Sequence, residues 1–189
     1  MEGRIWIWEF LGKVPGRKSG CIWVKEFLVI NNIRKIVNLS SITKSWRFFE
    51  DVLVGEKRKS NLKLITEDEI INFAKQYDPQ WFHTDKDEAK KSKFKGIIAS
   101  GIHVAALWRL LDHEINSDIN FVCGIGWDEV RWKNPLRPNS KIYVTSECLS
   151  KKNTSSEDRG VAIFNHSVKY DDSTDILIFK GTCLIYKKR

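Results

Sequence analysis

Two side chains that can exchange protons, Asp78 and His83, stand five residues apart in the stretch YDPQWFHTD. An imidazole titrates near neutral pH and can take or give a proton, and a carboxylate beside it can orient a water molecule. Pro79 directly follows the aspartate and stiffens the chain between the two groups. A plainer interpretation is that Asp78 ends a helix and His83 fills the core. Spacing alone leaves both interpretations open.

The residues around this stretch predict two helices that would position the pair. In TEDEIINFAKQY, Thr66 is a suitable N-cap with a glutamate three residues later, and apolar residues recur on one helical face. The Asp78-Pro79 step ends this helix, because the residue before a proline is pushed out of the α conformation. A second helix is predicted to begin at Thr84 or Asp85, which is followed by acidic residues.

The remainder of the chain predicts one long helix and then a series of strands. The stretch ASGIHVAALWRLLDHEI is apolar around most of its circumference, which indicates a buried helix. One strand is predicted around residues 57–65, and after Asn120 the hydrophobic period changes to two in four stretches that we expect to follow one another as hairpins. This order predicts an α+β hot-dog fold, in which an antiparallel sheet wraps around a long central helix.

Composition and charge argue against several classes of protein. The chain has 189 residues and a formal charge of +8, with 42% hydrophobic and 30% charged residues. Residues 1–47 hold nine Lys and Arg against three Asp and Glu, whereas the remainder holds 23 against 21. The body is therefore close to neutral, and we expect no nucleic-acid partner. No stretch approaches the roughly 20 apolar residues that a membrane span requires.

The first residues differ in character from the rest, which predicts two regions. Residues 1–45 form a basic leader, and residues 46–189 form the folded domain. For the leader, three interpretations stay open: an organellar transit segment, an arm that packs on the domain, or upstream sequence translated from a misplaced start. A nucleic-acid or membrane tether is a weaker alternative. The four scattered cysteines contain no C-x-x-C pair, which favours a reducing cytoplasm, or an organellar matrix if the leader is a transit segment.

The folded domain resembles the MaoC-like dehydratase family, which includes (R)-specific enoyl-CoA hydratases. The resemblance covers about three quarters of the chain, and its motifs occur in the order and with the spacing of that family. The stretches that carry it are FFEDVLVGE, TEDEIINFAKQYDPQWFHTD, FKGIIASGIHVAALWRLL and DEVRWKNPLRPNSKIYV.

The resemblance implies which residues are catalytic. In this family the aspartate and the histidine of the motif hold the catalytic water, which corresponds to Asp78 and His83. Hydration of an enoyl thioester also builds negative charge on the thioester oxygen, and backbone N–H groups at a helix N-terminus are suitable donors for it. The resemblance assigns this contact to the N–H of Gly101, which follows Ser100 at the start of the buried helix.

The candidate substrate-binding residues are Gln80, Trp81, Ser100 and Arg131. Gln80 stands where many of these hydratases have asparagine. Trp81 is bulkier than the usual proline or alanine and would narrow the acyl pocket. Arg131 is a candidate for contact with the phosphates of coenzyme A, as are neighbouring basic residues.

The function expected from the resemblance is reversible hydration of a 2-enoyl-CoA, or dehydration of an (R)-3-hydroxyacyl-CoA, in fatty acid metabolism. It requires no cofactor beyond the thioester carrier, and no pair of histidines with a carboxylate has the spacing of metal ligands. A homodimer or a dimer of dimers is expected. Two alternatives stay open: a hot-dog thioesterase, and a non-catalytic subunit that binds acyl thioesters. The acyl group and the choice between coenzyme A and acyl carrier protein are also open.

Overall fold

The computed structural model describes residues 45–189, so the predicted leader lies outside the described residues except for Ser45. Four α-helices and six strands follow a short 3₁₀ turn at Phe49–Asp51 within this range. The helices are α1 Glu67–Tyr77, α2 Trp81–Thr84, α3 Lys86–Lys91 and α4 Gly101–Asn116. The strands are β1 Lys57–Lys59, β2 Lys63–Ile65, β3 Phe121–Trp132, β4 Ser140–Asn153, β5 Arg159–Tyr170 and β6 Asp175–Tyr186.

All strands join one antiparallel sheet in the order β1-β4-β5-β6-β3, and β2 also pairs with β4. The predicted hot-dog fold is confirmed, with α4 packed against this sheet. The single strand predicted around residues 57–65 is two short strands. The expectation of four successive hairpins is wrong for β3, which pairs with β6 and not with β4. Its connection to β4 contains Pro135 and Pro138, which have no N–H for a strand ladder.

The main core lies between α4 and the concave face of the sheet. Apolar residues of α4, including Val104, Leu107 and Leu111, are buried against sheet residues such as Val168 and Phe179. The sequence predicted a helix that is buried on all sides. This prediction is wrong for α4, because the sheet covers only one side of it. Two apolar residues on the other side are largely exposed: Ile102 is 59% exposed and Leu110 is 54% exposed.

Strand β3 forms an exposed edge of the sheet. Most of its residues are exposed, and Ile125, Trp127 and Trp132 are large apolar residues about half exposed to solvent. Its pairing with β6 shifts register at three places, one of which lies between Gly124 and Gly126. Another shift lies between Asp128 and Arg131, where the non-glycine residue Glu129 has a φ of 53°. None of the helices in the described range is long and apolar enough to cross a bilayer.

A buried polar cluster lies at the C-terminal half of α4, away from Asp78. The Asp112 carboxylate accepts hydrogen bonds from Asn116 Nδ2 at 2.7 Å and from Arg109 at 2.9 Å. His166 Nδ1 lies 3.6 Å from Asp112 Oδ1, and both side chains are buried. Burial raises the pKa of Asp112, whereas burial and the nearby Arg109 charge lower the pKa of His166 to about 3. His166 is therefore a neutral core residue at physiological pH.

The buried His166 makes folding stability depend on pH. Below the ordinary histidine pKa of 6.5, the unfolded chain takes up a proton that folded His166 does not bind. The free energy of unfolding should therefore fall as the pH drops from 6.5 towards 3, by up to about 1.4 kcal/mol per pH unit. Above pH 3.8 the raised pKa of Asp112 has the opposite effect on the free energy of unfolding. Asp112 is retained in every variant compared.

We expect His166→Phe to reduce this slope between pH 5 and pH 6.5, because phenylalanine keeps the aromatic contacts and binds no proton. Urea unfolding midpoints at several pH values measure the slope. His113→Phe, which changes an exposed histidine of α4, is the control and should keep it. Equal slopes in wild type and His166→Phe would contradict the prediction.

Candidate active site

Asp78 lies where α1 ends, as predicted from the Asp-Pro step. Its backbone N–H donates to the carbonyl of Ala74 at 2.9 Å, and its ψ of 72° takes the chain out of the helix. The N–H of Gln80 then donates to the carbonyl of Asp78 at 2.8 Å, closing a tight turn around Pro79. This turn leads directly into α2, a single helical turn that the sequence analysis did not predict. The two short elements therefore fix the path from Asp78 to His83.

His83 is buried on α2, with only 4% of its surface exposed. Its Nδ1 lies 2.7 Å from the backbone carbonyl of Ile98. A carbonyl oxygen can only accept a hydrogen bond, so this contact assigns the proton of neutral His83 to Nδ1 and leaves a lone pair on Nε2. The Nε2 atom is the one that faces Asp78, at 3.6 Å from Oδ2. The structure thus brings together the two residues of the predicted pair.

The Asp78 carboxylate is held by hydrogen bonds at both oxygens. Oδ2 accepts from the hydroxyl of Ser100 at 2.5 Å, and Oδ1 accepts from Nε2 of Gln80 at 3.0 Å. The bond from Ser100, then the bond from Gln80, and also the proximity of His83 lower the pKa of Asp78, against a smaller opposing effect of partial burial. The side chain is 21% exposed, so an ionised carboxylate faces a partly open site.

Ser100 and Gly101 form the start of α4 beside this carboxylate. The Ser100 hydroxyl accepts from the N–H of Ile102 at 3.3 Å, so it caps the helix while it donates to Asp78. No described residue accepts from the N–H of Gly101, the first residue of α4. This N–H lies at the positive end of a 16-residue helix. The first turn of α4 therefore offers a donor for a negatively charged oxygen.

The remaining predicted substrate-binding residues have different surroundings. Gln80 belongs to the site through its contact with Asp78. Trp81 is 49% exposed and packs edge-on against Phe82 at a centroid distance of 5.2 Å. Arg131 lies on β3 and donates to the carbonyl of Val130, and no hydrogen bond or ion pair joins it to Asp78 or His83. The roles proposed for Trp81 and Arg131 remain predictions.

Sequence reasoning missed two contacts at the site. One is the carbonyl of Ile98, a backbone atom that accepts the His83 proton and that no residue type could reveal. The other is Trp132, at the end of β3, whose Nε1 donates to the carbonyl of Gly101 at 3.1 Å. An aromatic residue in a predicted strand was visible in the sequence. Its contact with α4 depends on strand pairing that the sequence pattern did not supply.

A cavity of about 1210 Å³ lies apart from the pair. It is lined by residues near the two ends of the described range, such as Arg47 and Lys188. Neither Asp78 nor His83 lines it. The described residues that line this cavity include the ion pair of Lys188 Nζ with Asp51 Oδ1 at 2.5 Å and no histidine.

Comparison with known proteins places the chain, a hot-dog domain, in a family. The chain belongs to the MaoC-like domain family, whose model matches residues 49–169.

Individual relatives agree with this assignment. The crystal structure of a MaoC-like dehydratase from Rhodospirillum rubrum is 26% identical, with a TM-score of 0.71 over 76% of this chain and 99% of that chain. The uncharacterized protein YdeM of Bacillus subtilis is 26% identical over 141 residues, 74% of this chain and 98% of that protein. The R-hydratase PhaJ1 of Pseudomonas aeruginosa, 18% identical, has a TM-score of 0.58 over 75% of this chain and 86% of that chain. At 18% identity the likeness concerns the fold alone.

Ser100 both caps α4 and donates to Asp78, so its substitution should have two effects that can be measured separately. Ser100→Ala should raise the pKa of Asp78, because the Ser100 hydroxyl is the largest cause of its lowering. It should also cost about 1 kcal/mol of stability through loss of the helix cap. NMR titration of the Asp78 carboxyl carbon and urea unfolding measure the two effects.

Thr66→Ala is the matched control, because Thr66 caps α1 by accepting from the N–H of Glu69 at 3.2 Å. It should lose a similar amount of stability and leave the titration of Asp78 as in the wild type. An unchanged Asp78 pKa in Ser100→Ala would show that the hydroxyl does not hold the carboxylate.

Proposed function

We propose that this protein reversibly hydrates a 2-enoyl-CoA, which in the reverse direction is dehydration of an (R)-3-hydroxyacyl-CoA. One observation carries the proposal: Asp78 Oδ2 and His83 Nε2 face each other at 3.6 Å beside the first turn of α4. Both atoms are hydrogen-bond acceptors in the ionised aspartate and the neutral histidine, and 3.6 Å is too long for a direct hydrogen bond. A water molecule that donates one hydrogen to each atom satisfies both.

In the proposed reaction, His83 is the general base. Its Nε2 takes a proton from the water as the water oxygen bonds to the β-carbon of the substrate. The electrons of the double bond move towards the thioester oxygen and form an enolate. The carbonyl returns when the α-carbon takes up the proton carried by the His83–Asp78 pair. Asp78 orients the water and stabilises the imidazolium, a task that suits a carboxylate with a lowered pKa.

The N–H of Gly101 is the proposed donor to the enolate oxygen. Negative charge develops there in the transition state, so a preorganised donor at a helix N-terminus lowers the barrier more than it stabilises the ground state. The reaction rearranges only the atoms of water and substrate, and it requires no cofactor beyond the thioester carrier. Gln80 holds Asp78 in place, and Trp81 and Arg131 are the proposed contacts for the acyl group and for coenzyme A.

The known names of related proteins support this reaction class. The family is named for a dehydratase, and the fold is shared with proteins described as a MaoC-like dehydratase and as an R-hydratase. A hot-dog thioesterase would use the same fold and a water activated by a carboxylate. The buried histidine with a fixed tautomer favours the hydratase, because hydration needs a group that takes a proton and returns it.

We also propose that the protein is a homodimer whose second copy encloses the site. The edge strand β3 leaves its backbone hydrogen-bonding groups available, and Ile102 and Leu110 of α4 are exposed on one side. Trp132 of β3 contacts Gly101, so the end of this edge strand reaches the site. A copy that pairs along β3 would therefore add a wall to the site, where the Asp78 side chain is 21% exposed in one chain.

Substitution of the pair tests the mechanism. His83→Ala and Asp78→Asn should each lower kcat by about 10²- to 10⁴-fold, because each removes a group that moves or orients the proton. Loss of enoyl absorbance with crotonyl-CoA measures the reaction. His113→Ala, which changes an exposed histidine of α4, is the control and should retain full activity. Unchanged turnover by His83→Ala would refute the mechanism.

Simultaneous measurement of free thiol separates the hydratase from the thioesterase. We expect the absorbance of the double bond to disappear without release of coenzyme A. Release of thiol while the double bond persists would identify a thioesterase. Binding of crotonyl-CoA with neither change would identify a non-catalytic acyl-thioester-binding subunit.

The proposed dimer has its own test. Ile125→Lys places a charge on β3 and should convert the dimer to a monomer in sedimentation experiments, because lysine on an edge strand opposes pairing with another chain. Leu149→Lys, at an exposed position of β4, is the control and should leave the dimer intact. Sedimentation of the wild-type protein as a monomer would exclude the dimer.

A further inference from the structure

The indole of Trp132 fills the space beside the Cα of Gly101. A Cβ atom added to Gly101 would lie 3.0 Å from both Cε2 and Nε1 of the indole and 3.4 Å from Cζ2. Carbon contacts of 3.0 Å are closer than ordinary packing allows. The glycine at the start of α4 is therefore explained by a neighbouring side chain within the same protein, in addition to any approach of a substrate.

The position of this indole is fixed from two sides. Trp132 pairs with Leu177 on β6, and the next residue, Lys133, donates its N–H to the carbonyl of Ile176 at 2.8 Å. At the other end, Nε1 of the indole donates to the carbonyl of Gly101 at 3.1 Å. Although held in this way, Trp132 is 54% exposed. A flat apolar surface is thus presented to solvent at the start of α4.

This surface lies next to the proposed oxyanion donor. The nitrogen that carries the N–H of Gly101 is bonded to the same Cα atom from which a Cβ would project. An oxygen that accepts from this N–H at about 2.9 Å therefore comes close to the indole that occupies the Cβ direction. An enoyl thioester is planar through its conjugated atoms, and a planar group packs well against an aromatic ring. The ring also keeps water from one side of the developing negative charge, which strengthens the hydrogen bond to it.

We propose that Trp132 positions the thioester for the reaction proposed above, on which this inference rests. The indole forms one wall of the thioester site. Its hydrogen bond to the carbonyl of Gly101 holds the first residue of α4, whose N–H meets the thioester oxygen. Trp132 acts on the substrate through packing and on Gly101 through its N–H group, and it exchanges no proton with the substrate.

A double-mutant cycle tests the coupling between the two residues. Gly101→Ala forces the indole away and should lower kcat/KM by about tenfold or more, because small displacements at a reacting centre are costly. Trp132→Ala should lower kcat/KM by a similar amount. The double variant should be no less active than Trp132→Ala alone, because the three atoms nearest to the added methyl group all belong to the indole. The proposal would be overturned if the fold-decrease in kcat/KM of the double variant equalled the product of the two single decreases.

Trp132→Phe separates the wall from the hydrogen bond. Phenylalanine keeps a flat ring and lacks the indole N–H, so KM should stay near the wild-type value while kcat falls. Trp46→Phe is the matched control, since Trp46 is 46% exposed and lies near Asn116, at the other end of α4 from Gly101. It should change neither constant. Circular dichroism and urea midpoints establish that each variant is folded.

A binding measurement distinguishes failure of this inference from failure of the proposed function. Butyryl-CoA is saturated and does not react, so its affinity can be measured by calorimetry in every variant. We expect Trp132→Ala to weaken its binding by about tenfold, while His83→Ala binds it nearly as the wild type does and fails only in turnover. Equal affinity in wild type and Trp132→Ala, or no binding to the wild type, would overturn the role of Trp132. Activity that survives in His83→Ala would instead overturn the mechanism.

Discussion

The hydroxyl of Ser100 is the interaction on which the rest of the site depends. It accepts from the first turn of α4 and donates to Asp78, so a single oxygen joins the central helix to the carboxylate. A floppy loop could not keep Asp78 within reach of His83. Because Ser100 has no exposed surface, water does not compete for these hydrogen bonds. The geometry of the pair is therefore set by the position of the helix.

The segment before α4 provides the second half of this arrangement. The carbonyl of Ile98 accepts from His83, and the N–H of Ala99 donates to the carbonyl of Leu136 at 2.9 Å. One short buried segment thus fixes the imidazole, while the next residue along the chain fixes the carboxylate. The two groups come from the sequence between α1 and α3, but they are oriented by the approach to α4. This division explains how a five-residue spacing becomes a defined distance between two atoms.

The parts of the site that the sequence predicted are those with local causes. Asp78 follows from the proline after it, and Ser100 with Gly101 follows from the start of an apolar helix. The orientation of His83 could not be predicted, because it depends on a backbone carbonyl 15 residues away. The contact of Trp132 with Gly101 requires β3 to pair with β6. The sequence pattern instead predicted successive hairpins, in which β3 would pair with β4. The exposed side of α4 could not be predicted, because the sequence shows that a helix face is apolar but not whether the same chain covers that face.

The register shift between Asp128 and Arg131 determines which way the last residues of β3 point. Side chains alternate between the two faces of a sheet, so one residue more or fewer in a strand exchanges its inner and outer positions. With the shift in place, Trp132 pairs with the buried Leu177 and faces the helix, while Arg131 faces outward. Regular pairing from Asp128 onward would instead place Arg131 opposite Leu177 and turn the indole to the other face of the sheet. An irregularity of one residue in an edge strand thereby selects whether an aromatic or a charged group borders the catalytic pair.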